Sequence, residues 1–408
     1  MRIRKSVGSL LCTLLLAQPA CSEAADSLRA REIHDKLLVL DTHLDAPANF
    51  GRPGWDIMQR HEYATDFTQL DYPRMVAGGL DGGFWAIYTP QGPRTEAGHQ
   101  AARDAALIRA VEIREMVAAH REQFEIALNA QDAARIAKED KRVVYMSIEN
   151  GYPIGHDLSL LKTFYELGVR LFGPVHFRNN ELGDSSTDTP QWQGLSPLGK
   201  QVVGEANRLG IVLDASHASD QVLDQLIELS TTPVVLSHSG CKAVYNHPRN
   251  IDDGRLRKLA AAGGVIQINS YSEYLIPVAV SPERRKALAD LTEKYADTST
   301  LTAEKIAAAA KERQAIDAKY PVTQATFEDF MRHLLHALKV VGPEHVGIGP
   351  DWDGGGGVVG MADIADLPKI TARLLEAGYS EKDLGNIWSG NVLRVLRKAE
   401  DQRDAQRP

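Results

Sequence analysis

Eight short, near-continuous apolar runs recur through this chain, at Leu37–Leu40, Gly83–Tyr88, Val143–Ile148, Val169–Phe172, Ile211–Asp214, Val234–Ser237, Val265–Asn269 and Val346–Gly349. A strand wetted on one face alternates apolar and polar residues. A run that is apolar throughout suits a strand covered on both faces, as in a parallel sheet. Helical patterns lie between the runs. Ala101 to Ala119 repeats apolar residues three and four apart. Ser196 and Pro197 make an N-cap and first turn for a helix that Gly210 stops. Asp220 to Leu229 fits another helix, and Ser380 with Asp383 frames a start leading into Ile387 to Leu396. Eight strands with helices between them predict an α/β fold, a (β/α)8 barrel of the TIM type. The alternative is an open doubly wound sheet. No Gly-x-Gly-x-x-Gly follows directly on a run and no Gly-Lys-Ser/Thr loop occurs, so nucleotide binding has no support.

The barrel domain is expected over residues 26–400, with 401–408 as a tail. From Val278 to about Thr323 the chain is rich in Ala, Lys, Glu and Arg, and reads as an insertion of one or two helices before the last strand. Its composition suits a surface excursion, with a cap over the barrel mouth or a subunit contact as the functional alternative. The first 25 residues differ in kind: Arg2, Arg4 and Lys5 precede an apolar run from Leu10 to Ala17, and small residues follow. This is the layout of a signal peptide, so export to the periplasm or an equivalent compartment is expected. Pro-Ala-Cys ending at Cys21 leaves a lipid anchor open, and only then would a membrane be a partner. Of three cysteines, only Cys241 is certain to stay in the folded domain, so no internal disulfide is expected and Cys241 reads as a buried filler. With 54 acidic against 46 basic residues and no basic stripe, nucleic acid is excluded as a partner.

In such barrels the site forms where the strands end. His43 and Asp45 stand at the end of the first run, and Glu149 at the end of the third. His176 follows the fourth, His217 the fifth, His238 the sixth and Asp351 the last. Each alone is ordinary: a lone His near a strand end is usually a hydrogen-bonded core or rim residue, and a lone Asp a turn former. Their recurrence at successive strand ends is not. Imidazoles with carboxylates suit zinc and its neighbours, and so many donors serve two ions better than one. One ion would take His43 and Asp45, the other His217 and His238, with Glu149 between them. The other histidines, His34, His61, His99, His120, His156, His247 and His345, read as loop or helix-surface residues, and His333 with His336 as one helix face. Gly354 to Gly357 would serve close backbone approach rather than phosphate binding.

The order of motifs resembles the renal, or membrane, dipeptidase family of metal-dependent barrels, from about Leu37 to Arg397. The strings that carry it are Asp-Thr-His-Leu-Asp at 41–45, Gln-Leu-Asp-Tyr-Pro-Arg at 69–74, Gly-Gly-Phe-Trp-Ala-Ile-Tyr at 82–88 and Ser-Ile-Glu-Asn-Gly at 147–151. Gly-Leu-Ser-Pro-Leu-Gly at 194–199, Asp-Ala-Ser-His-Ala-Ser at 214–219, Ser-His-Ser at 237–239, Pro-Arg-Asn at 248–250 and Gly-Pro-Asp-Trp-Asp-Gly at 349–354 complete it. The resemblance implies two Zn2+ ions on His43, Asp45, Glu149, His217 and His238, bridged by Glu149 and a water or hydroxide. It implies that His176 faces the scissile carbonyl, that Asp351 is the acid/base, and that Arg249 and Tyr274 hold the substrate's terminal carboxylate. It also implies a dipeptidase, hydrolysing dipeptides with a free C-terminus, and a homodimer. The competing readings are another binuclear amidohydrolase, such as an N-acyl-amino-acid deacylase or lactonase, and a non-catalytic exported binding protein. Phosphotriesterase relatives often bridge their metals with a modified Lys, and Glu149 at that position disfavours them.

Overall fold

The computed structural model describes residues 28–296 and 300–405. The signal segment 1–25 and Cys21 lie outside these. No helix among the described residues is long and apolar enough to cross a membrane.

Among the described residues ten strands follow in chain order: β1 Leu40–Leu44, β2 Gly82–Tyr88, β3 Phe124–Ile126, β4 Arg142–Glu149, β5 Val169–Phe172, β6 Val212–Leu213, β7 Val235–Cys241, β8 Asn250–Ile251, β9 Val265–Ile268 and β10 Val346–Ile348. One parallel sheet runs β1-β2-β4-β5-β6 and another β10-β9-β7-β8. Single parallel bridges, Asp214 to Val235 and Leu44 to Trp352, join the two at both seams. The eight strands expected from the apolar runs thus close into a (β/α)8 barrel. β3 pairs with β4 and β8 with β7, and both are too short to leave a periodic signal.

The first strand departs from the expected Leu37–Leu40. Leu37 donates its N–H to the His34 carbonyl in a turn, and β1 begins at Leu40. Pairing with β2 carries the strand through Asp41, which sits opposite Gly83. Ladder hydrogen bonds are made by backbone, so polar side chains do not end a strand when the barrel interior receives them. His43 therefore lies within the strand, not after it.

The interior changes character along the barrel. At one end Leu40, Phe84, Tyr145, Leu171, Val212, Val235 and Val265 share a buried cluster with Val392, Val395, Leu396 and Ala399 of the last helix, Asn391–Ala405, which runs past residue 400. Two residues further along, on the same face of each strand, come Thr42, Ser147, Asp214, Ser237 and Gln267, all buried. An apolar plug closes the bottom and a polar layer faces the mouth.

The helices follow their end signals. Pro197–Leu209 is capped by Ser196, which accepts from the Gly199 N–H at 3.0 Å, and is stopped by Gly210 at φ 77°. Asp220–Leu229 occupies the expected span, and the helix expected over Ala101 to Ala119 starts earlier, as Glu96–Ala119, because Thr95 caps it. Ser380 and Asp383 form a reciprocal capping box. The segment after Tyr274 forms two helices, Pro282–Lys294 and Ala303–Lys319. They are tied by Arg284 to Asp317 and Lys294 to Glu312, both at 2.6 Å. Gln314 donates to the Ala64 carbonyl at 2.7 Å, so the pair leans on the short helix Tyr63–Asp66 after β1.

Candidate metal centre

β1 delivers His43, with Asp45 just past its end; β4 ends on Glu149, and His238 lies inside β7. His176, His217 and Asp351 come from the loops after β5, β6 and β10. All seven are brought together. Their donor atoms form three groups, each within 4.8 Å: His43, Glu149 and His238; Glu149, His176 and His217; His43, Asp45 and Asp351. His43 and Asp45 lie 3.2 Å apart and His217 and His238 2.8 Å, while His238 also stands with His43 and His176 with His217. The His43 and His238 rings lie tilted at 35° to each other, with centroids 3.9 Å apart. Glu149 belongs to two groups, as a residue arriving between them should.

The donor set fits divalent cations of the zinc type. His43 Nε2 is buried without a hydrogen bond, 3.2 Å from Asp45 Oδ2 and 3.6 Å from Glu149 Oε2. His217 Nε2 lies 2.8 Å from His238 Nε2 and 2.9 Å from Glu149 Oε1. Buried polar atoms normally have partners, so lone pairs converging on one another mark a place built for a cation.

The charges are strongly perturbed. Burial holds His217 and His238 well below the ordinary histidine range, as ligands require. Burial also opposes a charge on His43, but Asp45 and Glu149 outweigh it and hold the imidazole well above its usual range. Burial would raise Glu149, yet His43 and His176 hold it well below. Asp351 is pushed well above the carboxylate range by burial, against His43 and with Asp45 and Glu149 adding to the rise. Its backbone sits at φ 73°, in the left-handed region, a strain of about 1–3 kcal/mol that functional sites tolerate.

Gly354 shows why the loop after Asp351 is glycine-rich: a Cβ there would stand 2.1 Å from Asp45 Oδ2 and 2.3 Å from Asp351 Oδ1. Arg249 is 3 % exposed, and its Nη2 donates to the His238 carbonyl at 3.3 Å. Its Nε and Nη1 have no partner, and its guanidinium lies 5.1 Å from the centre of the Tyr274 ring.

The sequence reading missed neighbours of this cluster. Tyr88 packs on His176 at 4.9 Å, and His247 on Tyr274 at 5.0 Å. Tyr88 ends an expected strand and was open to the same strand-end argument; His247, in a loop, carries no such signal. His34 and His99, expected at the surface, are buried. His34 Nδ1 lies 2.7 Å from Thr371 Oγ1 and its Nε2 2.9 Å from the Gly78 carbonyl, while His99 Nε2 lies 3.0 Å from Glu181. His333 is a core residue and His336 pairs with Asp253. Cys241 is free and buried, as expected.

Comparison with known proteins agrees with this geometry. The family model "Membrane dipeptidase (Peptidase family M19)" matches residues 27–407. Dipeptidase tcpJ of Claviceps purpurea is 29% identical over 344 residues, covering 83% of this chain and 71% of that protein. The structure of the probable dipeptidase PvdM from Pseudomonas aeruginosa superposes with a TM-score of 0.79 at 31% identity, over 93% of this chain and 99% of that one. A metallopeptidase from Rhodobacter sphaeroides, liganded with a phosphinate mimic of L-Ala-D-Ala, gives a TM-score of 0.68 at 26% identity, over 88% and 99%. A barrel with a buried His and carboxylate cluster at its mouth, matched by the family model along nearly its whole length, is a metallopeptidase of the dipeptidase type: the chain belongs to the membrane dipeptidase family, peptidase family M19.

Proposed function

We propose that this chain hydrolyses dipeptides with a free C-terminal carboxylate, at two zinc ions held by His43, Asp45, Glu149, His217 and His238. The observation that carries the reading is the attitude of Glu149. Its Oε2 faces His43 Nε2 at 3.6 Å, while its Oε1 faces His217 and His238 at 2.9 and 3.4 Å. One carboxylate with an oxygen for each side is what a bridge between two cations requires. When bound, the ions supply Lewis acidity and a water acidified from about 15.7 towards roughly 7.

The chain's own residues do the rest. Asp351 Oδ1, 3.8 Å from His43 Nε2, accepts a proton and returns it to the leaving amine nitrogen. The bound cations would add positive charge beside it and offset the burial that otherwise favours its acid form. Burial lowers His176 and keeps its ring neutral, so it offers an N–H to the carbonyl oxygen as negative charge develops there. Arg249 has two unpartnered nitrogens on a planar fork that matches a carboxylate. Tyr274, pushed up to about 12 by burial, keeps its hydroxyl proton as a second donor. A clamp for a free carboxylate next to the reacting centre leaves room for one residue beyond the scissile bond, hence dipeptides. The same reading takes 1–25 as an export signal, with lipidation of Cys21 as the only route to a membrane, and pairs two chains in a homodimer.

The test is hydrolysis of L,L and L,D dipeptides, and of their C-terminal amides, by zinc-loaded protein beside a chelated control. Two ions per chain, turnover of free dipeptides and weak turnover of amides are expected. Equal turnover of amides, or full activity after chelation, overturns the reading.

A further inference from the structure

Below the metal-type cluster, the polar layer of the barrel holds a chain of hydrogen bonds that ends on His238. Asp214 Oδ1 accepts from the Ser216 N–H at 3.0 Å, the Ser216 hydroxyl at 2.7 Å and the Ser237 N–H at 2.9 Å. Its Oδ2 accepts from the Ser237 hydroxyl at 2.5 Å. Ser237 Oγ lies in turn 2.8 Å from His238 Nδ1. Asp214, Ser237 and His238 are 6, 0 and 1 % exposed, so water does not compete for these bonds.

Counting protons settles their direction. A hydroxyl has one proton and two lone pairs. Ser237 spends its proton on Asp214, which the three donors at Oδ1 keep in an acceptor role. The nearby Ser216 hydroxyl, 3.1 Å from Ser237 Oγ, has given its own proton to Asp214 and donates nothing to Ser237. Ser237 therefore meets His238 with a lone pair, and His238 Nδ1 must carry the ring's hydrogen. The bare nitrogen is Nε2, which points at Glu149 and His217. His217 differs: its Nδ1 is buried with no hydrogen-bond partner.

We propose that Asp214 and Ser237 are positioning residues that lock His238 in the Nδ1–H tautomer and so present Nε2 as a ligand, while His217 has no such lock. This deepens the reading of His238 as a metal ligand and rests on it. Orienting partners of this kind typically contribute about 10–100-fold to metal affinity.

The relay makes an ordering that simple bracing of the fold does not. Ser237→Ala removes the link and leaves all three donors on Asp214 Oδ1 in place. Asp214→Asn is nearly isosteric, but the three donors at Oδ1 force its amide nitrogen towards Ser237. That nitrogen donates, the Ser237 hydroxyl turns to donate to His238 Nδ1, and the ring hydrogen is driven onto Nε2. The milder-looking substitution should therefore be the more damaging one.

The experiment has two readouts, neither of which is activity. Histidine 15N chemical shifts in metal-free protein report the tautomer directly. Zinc affinity by chelator competition, with cobalt spectra as a second view, reports the ligand. We expect His238 as Nδ1–H in the parent and Nε2–H in Asp214→Asn. One of the two ions should be weakened about 10–100-fold in Ser237→Ala and further in Asp214→Asn, with recovery in Ser237→Thr. An Nε2–H signal from His238 in the parent, or parental zinc affinity in Ser237→Ala, overturns the relay. If Asp214→Asn does not fold, Ser237→Ala and the parent spectrum still decide. Should the parent bind no metal, the functional reading fails, while the 15N signal still tests the tautomer by itself.

Discussion

Gln69 and Asp353 grip each other at both backbone and side chain. The Gln69 N–H donates to Asp353 Oδ1 at 2.5 Å, and the Asp353 N–H donates to Gln69 Oε1 at 3.0 Å. The Gln69 amide nitrogen also donates to the Gly356 and Ala362 carbonyls, at 2.8 and 3.0 Å. Asp353 sits at φ 65° and Asp351 at φ 73°. The loop after β10 is thus held in an unfavourable backbone conformation by a residue from the segment after β1, and Asp351 is aimed by that hold.

Gln69→Leu should therefore lower kcat while leaving two metals bound. A misplacement of about 1 Å can cost on the order of 100-fold. Steady-state kinetics beside metal analysis checks this; unchanged kcat would show that the loop holds its shape without the grip.

Gly354→Ala should damage the centre itself, because its Cβ would enter the space of Asp45 Oδ2 and Asp351 Oδ1. Loss of both activity and metal content is expected, with the rest of the fold intact by far-UV circular dichroism.

Asp351→Asn should keep both metals yet lose about 10²–10⁴-fold in turnover, the usual worth of a positioned proton carrier. Turnover equal to the parent's would remove Asp351 from its role. Arg249→Met should instead raise KM for free dipeptides, abolish the discrimination against C-terminal amides and leave metal binding nearly unchanged.

Acid stability should depend on His333 and His34. Burial pushes each down to about 4 from 6.5. His333 Nδ1 accepts from the Cys241 N–H and its Nε2 donates to the Leu275 carbonyl, so a second proton would confront a donor. Between pH 6.5 and about 4 the unfolded chain binds protons that the folded chain refuses, so stability is lost as pH falls through that window. Each group accounts for about 3 kcal/mol at most, from a shift of about 2.5 pH units at 1.36 kcal/mol per unit. Asp81, pushed up to about 6 by burial, slopes the other way. The comparison is therefore parent against His333→Gln: urea unfolding at pH 7 and pH 4.5 should show the parent losing about 2 kcal/mol more than the variant.

Much of this was legible in the chain. The apolar runs placed seven of the eight barrel strands because burial on both faces leaves an unbroken pattern, and Ser196, Gly210 and the Ser380–Asp383 pair marked helix ends because caps act locally. The seven cluster residues were visible because a barrel collects strand ends at one mouth. The first strand was misplaced because the barrel takes in polar Asp41 and His43 where apolar periodicity predicts a loop. The burial of His34 and His99 was hidden because their partners, Thr371 and Glu181, are remote in sequence.

Which donors the chain owns, and that they come from successive strands or the loops after them, follows from the residues alone, since strand periodicity and capping are short-range. The contact of His238 with His43, the grouping of His176 with His217, the hold of Gln69 on Asp353 and the hydrogen on His238 were decided only by the closed barrel. Each depends on side chains from separate segments, 23 residues apart for Asp214 and Ser237 and 284 for Gln69 and Asp353, meeting at the short range in which hydrogen bonds and ligand contacts act.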